Sequence, residues 1–215
     1  MQQPKPISTL VKVTTSTLPT TSFSDRRQLI SQVACERAAI VRQRYGTKSD
    51  LLSRATPAVQ PFFAEHKEAA IMGDYPTLSD LNNTYGAGSA ADWLLPQIAN
   101  LATAAGARNL TLQQELELAS VIATEYRHLK ITELMLFFFR TKAGHYGRFY
   151  GSVDPMVITC ALRDFLRDRN DLIDYYDRER RRREREQQEA DAMTLDEWLE
   201  IKTITAMYNS DYTVP

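Results

Sequence analysis

Apolar side chains recur every three or four residues along most of this chain, a spacing that places them on one side of an α-helix. The clearest stripe runs through residues 112–129, directly after the capping box Thr111-x-x-Gln114. Asp154 followed by Pro155 also marks a helix start, because aspartate caps free N–H groups and proline suits the first turn. No segment alternates as a half-buried β-strand does. The pattern therefore predicts an all-α protein, folded as a multi-helix bundle.

The same capping signature, a Ser or Thr followed three residues later by an acidic residue, predicts further helix starts. These starts are Ser22, Thr47, Thr77, Ser89 and Thr194. Residues 131–139, ITELMLFFF, are apolar nearly all round. A strand is possible there by composition, but the Lys142-Ala143-Gly144 ending favours a short buried helix.

The chain divides into four parts by composition. Residues 1–22 are rich in Ser, Thr and Pro and are predicted to be a disordered tail. Residues 23–176 form the helical domain, residues 177–193 a charged helix or linker, and residues 194–208 a C-terminal amphipathic helix. The sequence leaves open whether the helix that begins at Asp154 continues through the charged part, which would make it about 50 Å long.

The total charge of the 215 residues is balanced, with 26 basic and 27 acidic side chains. No apolar run reaches the roughly 18–20 residues that a membrane span needs. The N-terminal segment has no apolar stretch of the secretory type, and Cys35 and Cys160 lie in helical patterns typical of free, buried thiols. These features predict a cytoplasmic protein without membrane contact.

The charges are unevenly distributed along the chain. Residues 140–153 contain three cations and no acid, and residues 178–185, RERRRRER, contain six arginines and two glutamates. Residues 191–215 contain five acids and one lysine. A neutral total therefore excludes a generally cationic protein but leaves room for a local basic site.

The basic–aromatic segment, residues 139–152, combines cations, aromatic rings and glycines. Cations bind phosphates, aromatic faces stack on bases, and glycines let a backbone approach a ligand closely. Its candidate nucleic-acid contacts are Arg140, Lys142, His145, Tyr146, Arg148, Phe149 and Tyr150. Two alternatives remain open: a protein-binding surface, or a structural connection whose cations pair with Glu133, Asp164 or Asp168.

Two further surfaces are candidates for partners. Clustered guanidinium groups in the arginine run, residues 178–185, could add affinity for phosphates. A solvated helix with Glu–Arg pairs explains the run equally simply. The run's candidate contacts are Arg180, Arg181, Arg182 and Arg183. The C-terminal helix either docks on its own body or enters a partner's groove. Its candidate contacts are Leu195, Trp198, Leu199 and Ile201.

Recognisable catalytic chemistry is not evident. The chain has three histidines, and Glu125-x-x-His128 is a single copy of a spacing that di-iron sites need twice. No phosphate-binding loop, zinc pattern or hydrolase motif occurs. We therefore expect a non-enzymatic protein with no cofactor and no metal site.

Three strings between residues 129 and 158 carry a resemblance, which covers roughly residues 78–170, to an uncharacterised family of Bacteroides-type genomes and their phages or mobile elements. They are LKITELMLFF, the loop K-x-G-x-YG-x-FYG and the helix start VDP-x-x-I. The helical layout is also loosely similar to that of small phage helicase-loader proteins. Together with the basic–aromatic segment and the C-terminal helix, this resemblance predicts a non-enzymatic accessory protein of a phage or mobile element that binds nucleic acid in DNA replication or maintenance. Its partners would be DNA, a replication protein or a second copy of the chain. The alternative is a protein–protein interaction or structural module without nucleic-acid contact.

Overall fold

The computed structural model describes residues 23–105, 110–147, 154–192 and 195–210, so the predicted disordered tail lies outside the described residues. Within these ranges the chain is helical and contains no β-strand, which confirms the all-α prediction. The α-helices of the described ranges are α1 (Phe23–Tyr45), α2 (Lys48–Arg54), α3 (Gln60–Glu65), α4 (Lys67–Met72), α5 (Leu78–Tyr85), α6 (Ser89–Ala104), α7 (Leu112–Glu125), α8 (Ile131–Lys142), α9 (Pro155–Asp191) and α10 (Leu195–Ser210).

Helix α8 lies at the centre of the body. Every residue from Ile131 to Phe138 is buried, and α3, α4, α6 and α9 pack around the helix. Trp93 of α6 and Phe165 of α9 are also fully buried in this core. A helix that is apolar all round belongs inside a protein, so the interpretation of residues 131–139 as a short buried helix is confirmed.

Local capping chemistry fixes most of the helix starts. Thr47, Thr77 and Thr111 form capping boxes, and the Asp154 carboxylate accepts a hydrogen bond from the N–H of Met156. The prediction at Ser89 is wrong, because Gly88 caps α6 with a positive φ of 87° and Ser89 is the first helical residue. The positive φ suits glycine, which has no Cβ to clash. Ser22 and Thr194 lie outside the described residues.

The starts of α5 and α8 are joined by backbone hydrogen bonds. The N–H of Leu78 donates to the carbonyl of Leu129 at 3.0 Å, next to the short bridge between Thr77 and Lys130. Lys130 Nζ then donates to the carbonyls of Ile71 and Gly73 at 2.7 and 2.9 Å. The ammonium thereby satisfies carbonyl groups at the end of α4 and ties α4 to the base of α8.

Helix α9 is continuous through the charged part of the chain, over 37 residues or about 55 Å. Its first turns pack on the body through Ile158, Leu162 and Phe165, which are buried. Residues 181–192 are all exposed. The part of α9 over residues 177–191, called the arm below, therefore extends from the body as a helix.

Both cysteines are free, as expected, but the expectation that they are buried is wrong. Cys35 lies on an exposed side of α1 and Cys160 on an exposed side of α9. The helical pattern around each cysteine is real, but it does not determine which side of the helix faces the core.

Candidate functional site

The basic–aromatic segment begins as the last turn of α8 and continues into a glycine-rich turn. Gly144 and Gly147 have φ values of 82° and 98°, in the left-handed region that glycine adopts readily. His145 lies exposed between them. The candidate contacts Arg148, Phe149 and Tyr150 lie outside the described residues.

Arg140 points back toward the protein. Its side chain is only 13% exposed and lies 3.5 Å from the carboxylate of Asp168 on α9. The hydroxyl of Tyr146 donates to the same carboxylate at 3.0 Å. The Tyr146 ring packs on Phe137 and Phe165, and burial raises the pKa of its hydroxyl to about 12. Arg140 and Tyr146 thus connect α8 to α9 instead of facing solvent.

Lys142 is also held within the body. Its Nζ donates to the side-chain oxygen of Asn100 on α6 at 2.8 Å. Partial burial lowers the pKa of the Lys142 ammonium, because desolvation disfavours the charged form. The lysine therefore links the end of α8 to α6.

A buried ion pair lies further into the core. Glu133 is fully buried, and one of its carboxylate oxygens accepts from Arg169 Nε at 2.7 Å. The other oxygen accepts from the backbone N–H of Lys130 at 2.9 Å. Sequence reasoning named Glu133 as a possible partner of the segment's cations but missed Arg169. The available signal was a charged residue in the apolar stripe of α9, at the position between Phe165 and Leu172.

The described part of the segment therefore has the geometry of a structural connection. Arg140, Lys142 and Tyr146 each bond to other parts of the body. Among the described candidate contacts of this segment, His145 alone is exposed. The pairing of Arg140 with Asp168 is one of the contacts that the structural alternative requires.

Ion pairs run along the arm within α9. Arg180 pairs with Asp177 at 2.8 Å and Glu184 at 3.8 Å. Arg182 pairs with Glu179 at 2.9 Å and with Glu186 at 3.5 Å. These contacts span three or four residues, the distance at which side chains on a helix meet. Arg183 lies 3.9 Å from Glu68 of α4, at the edge of the body.

Three arginines of the arm are not paired in this way. Arg178, Arg181 and Arg185 form no ion pair with any described residue, although Arg178 donates to the carbonyl of Asp174. Their spacing of three and four residues places them on one side of the helix. Asp174 and Glu189 lie on the same side at helical spacing, and Asp174 lines a shallow pocket together with Arg178 and Arg181, so the positive charge of this side is partly compensated without a direct ion pair.

Helix α10 carries exposed apolar side chains. Trp198, Leu199 and Ile201 are each about half exposed, and Ile204 is 64% exposed. Lys202 Nζ lies 4.6 Å from the centroid of the Trp198 ring. The side chain of Leu195 lies outside the described residues. About half of the surface of these apolar side chains is therefore open to solvent.

A groove of about 770 Å³ lies between the α3–α4 junction and α9. Met72 and Tyr176 contribute apolar surface to it, and Glu68 lines its rim. Burial and the nearby Glu68 carboxylate raise the pKa of the Tyr176 hydroxyl. The groove is open, and it lies where the arm leaves the body.

The part of the chain that the structure describes has neither a metal cluster nor a membrane-spanning helix. Among the described residues, no group of three or more His, Cys, Asp or Glu side chains is arranged to hold a metal ion. None of the described helices is both long enough and apolar enough to cross a membrane.

One comparison with known proteins gave a match. Residues 109–208 match a family of unknown function, DUF6633. The DUF6633 match includes α7, α8, α9 and most of α10, and therefore the basic–aromatic segment and the arm. No curated protein and no solved structure matches this chain.

Proposed function

We propose that this protein is a non-enzymatic interaction module, in which a helical body carries a stiff arm that presents α10 to a protein partner. The observation that carries this proposal is the exposed apolar surface of α10 next to an arm that is stabilised by its own ion pairs.

The arm has the features of a self-supporting helix. Isolated helices of this length are marginal in water, and each ion pair at helical spacing adds about 0.2–0.5 kcal/mol. Arg180 and Arg182 each bridge two acidic residues, one on either side along the helix. A helix that is polar all round and carries such pairs is typical of a solvent-exposed spacer.

The apolar side chains of α10 supply the contact. Burying a large apolar side chain contributes about 1.5–3 kcal/mol. Trp198 and Ile201 are half exposed in the single chain, so their further burial against a partner would stabilise a complex. Helices with such side chains commonly bind in a groove of another protein. Trp is also among the residue types most enriched at energetic centres of interfaces.

A capture experiment tests this proposal. The full chain, tagged and used as bait in a lysate of its native host, should retain a defined partner that quantitative mass spectrometry identifies. Trp198→Asp combined with Ile201→Asp should reduce that partner by at least about tenfold, the effect of losing roughly 1.4 kcal/mol. Leu29→Asp combined with Val33→Asp is the matched control, because these apolar side chains on α1 are exposed to a similar extent. Equal capture by the α10 variant would contradict the proposal.

Nucleic-acid binding is a second candidate, and the unpaired arginines of the arm favour it. Arg178, Arg181 and Arg185 could each neutralise one phosphate on a single side of the helix. A role in DNA replication or maintenance of a phage or mobile element belongs to this candidate, and its support is the resemblance of the sequence motifs.

Binding titrations with DNA and RNA at two salt concentrations test this second candidate. Changing Arg178, Arg181 and Arg185 to alanine should weaken binding and lower its salt slope by about 0.9 for each phosphate that is no longer neutralised. Arg180→Ala with Arg182→Ala is the control, because these arginines already pair with acids of the arm. Absence of binding by the wild type at low salt would exclude the candidate.

A further inference from the structure

Helix α1 is attached to the body through its second half. Arg37 pairs with Asp74 at 2.7 Å and with Asp80 at 3.4 Å, and Val41 is buried. Residues 26–33, by contrast, are all exposed. Eight consecutive residues cover all sides of a helix, so the body does not cover this part of α1 on any side.

The exposed part of α1 carries a stripe of four residues, Arg26, Leu29, Val33 and Glu36. Their spacing of three, four and three residues places them within about 80° of the helix circumference. Leu29 is 59% exposed and Val33 is 57% exposed. Arg26 and Glu36 are also exposed and form no ion pair with any described residue. The stripe therefore has an unpartnered apolar centre and unpaired, opposite charges at its two ends.

We propose that this stripe binds the same stripe of a second copy of the chain, with the two α1 helices antiparallel. The spacing reads the same from either end, which is what a two-fold axis requires. An axis level with Ser31 places Leu29 of one protomer opposite Val33 of its partner. The same axis places Arg26 opposite Glu36, so each apolar contact and each ion pair forms twice. A parallel pair in register would instead place arginine against arginine.

The position of the stripe on α1 is compatible with this pairing. Val41, on the buried side of the helix, lies about a quarter of a turn from the stripe. A second helix can therefore lie along the stripe while α1 keeps its contacts to the body. The contact between two such short helical segments falls below the roughly 1,200 Å² of stable interfaces, so we expect a weak dimer with a Kd on the order of 100 µM.

Charge-reversed variants of the full chain test the pairing by sedimentation equilibrium. Arg26→Glu should weaken the dimer about tenfold, because both attractive pairs become repulsive. Adding Glu36→Arg to this variant should restore the Kd to within about threefold of the wild type, since opposite charges then face each other again. Arg163→Glu is the matched control, because it makes the same change of charge at an exposed position of α9 and should leave the Kd unchanged.

Two outcomes of this series would overturn the proposal. One is a dimer that Arg26→Glu weakens no more than Arg163→Glu does. The other is a double variant that dimerises no better than Arg26→Glu alone, because antiparallel pairing predicts the rescue. Circular dichroism of each variant checks that the helices are retained.

Crosslinking tests the direction of the two helices. In a background with Cys35→Ser and Cys160→Ser, chains with Arg26→Cys and chains with Glu36→Cys are mixed with a thiol crosslinker of about 10 Å, close to the distance between packed helices. The antiparallel pair predicts a crosslink in the mixture and little in either variant alone, where the two thiols lie about 15 Å apart along the helices. A crosslink that forms mainly within each variant alone would show a parallel pair and overturn the proposal.

This inference concerns a different surface from α10 and does not rest on the role proposed above. Leu29→Asp with Val33→Asp should give a monomer that still retains the partner captured through α10. Trp198→Asp with Ile201→Asp should lose that partner and still dimerise, and a loss of the dimer in this variant would place the interface on α10 and overturn the proposal. A wild type that stays monomeric up to about 1 mM would also overturn the α1 dimer, while the capture experiment would still decide the role of α10.

Discussion

Replacing Arg169 with methionine should destabilise the protein by about 3 kcal/mol, because the change leaves the buried carboxylate of Glu133 without its partner. Methionine preserves much of the apolar stem of Arg169 while removing the guanidinium. Breaking a buried ion pair costs roughly 3–5 kcal/mol. The Arg169 side chain is 19% exposed, so water can reach the site and the lower end of that range applies. Such a loss is a large part of the roughly 5–15 kcal/mol by which folded proteins are stable.

The chain offers a close control for this change. Arg167, also on α9, pairs with Asp164 at the same distance of 2.7 Å, but its side chain is 74% exposed. Arg167→Met should therefore change the free energy of unfolding by no more than about 0.5 kcal/mol. Glu133→Gln added to Arg169→Met should recover about 1–2 kcal/mol, since a neutral amide can still accept from the Lys130 N–H without an unpaired charge.

Urea denaturation followed by circular dichroism measures these three variants and Glu133→Gln alone at one pH. The reasoning fails if Arg169→Met costs no more than Arg167→Met, or if the effects of the two changes at the buried pair simply add. Either result would mean that Glu133 is solvated or paired differently, and that the ion pair does not hold α8 against α9.

Three further predictions concern the contacts around the segment and α8. Lys130→Met should cost about 1–3 kcal/mol in urea denaturation, because the carbonyl of Ile71 loses the Lys130 donor and the carbonyl of Gly73 keeps only the N–H of Tyr75, whereas Lys67→Met at an exposed position should be nearly neutral. Gly144→Ala should lower the unfolding free energy by about 1–2 kcal/mol through backbone strain alone, since no atom lies within 4 Å of the new Cβ; an unchanged thermal midpoint would contradict this. The hydroxyl of Tyr146 has a pKa of about 12 in the folded state, against 10.0 in the unfolded chain. The free energy of unfolding should therefore fall as the pH rises from the unfolded pKa through the folded pKa. Tyr146→Phe should make that fall shallower, and a wild-type profile as shallow as that of the variant would refute the assignment.

Local signals in the sequence predicted most helix starts. The capping boxes at Thr47, Thr77 and Thr111 need only four consecutive residues, so no knowledge of the tertiary structure is required. Ser89 has the same local signature, yet its hydroxyl is buried without a partner among the described residues and Gly88 caps the helix. Tertiary packing there determines which of the two residues caps the helix, and a four-residue pattern carries no information about packing.

The sequence also could not predict which helical surfaces are covered. Leu29, Ile30 and Val33 have the helical spacing of a buried face, but in α1 they are exposed. The spacing correctly predicts a helix, because it reports the period of the chain. It does not report whether the apolar side faces the same chain, another chain or solvent.

The basic–aromatic segment shows a similar gap between composition and contact. Its residue types match those that bind nucleic acid, but Asn100 and Asp168, which are distant in sequence, hold Lys142 and Arg140. Asp168 could be named beforehand as a possible partner because it lies on the next helix. Asn100 gave no signal, since a single amide carries no charge pattern to find.

Unpaired charge, more than total charge, should decide what this protein binds. The cations Arg140 and Lys142 are occupied within the body, and Arg180 and Arg182 are occupied within the arm. The arginines left over lie on one side of the arm, and the acidic block that follows them has the opposite sign and similar size. A polyanion that binds these arginines would also be repelled by the acidic residues that follow them along the chain. Binding of a polyanion is therefore expected to depend on Arg178, Arg181 and Arg185 more than on Arg180 and Arg182, which already pair with acids of the arm.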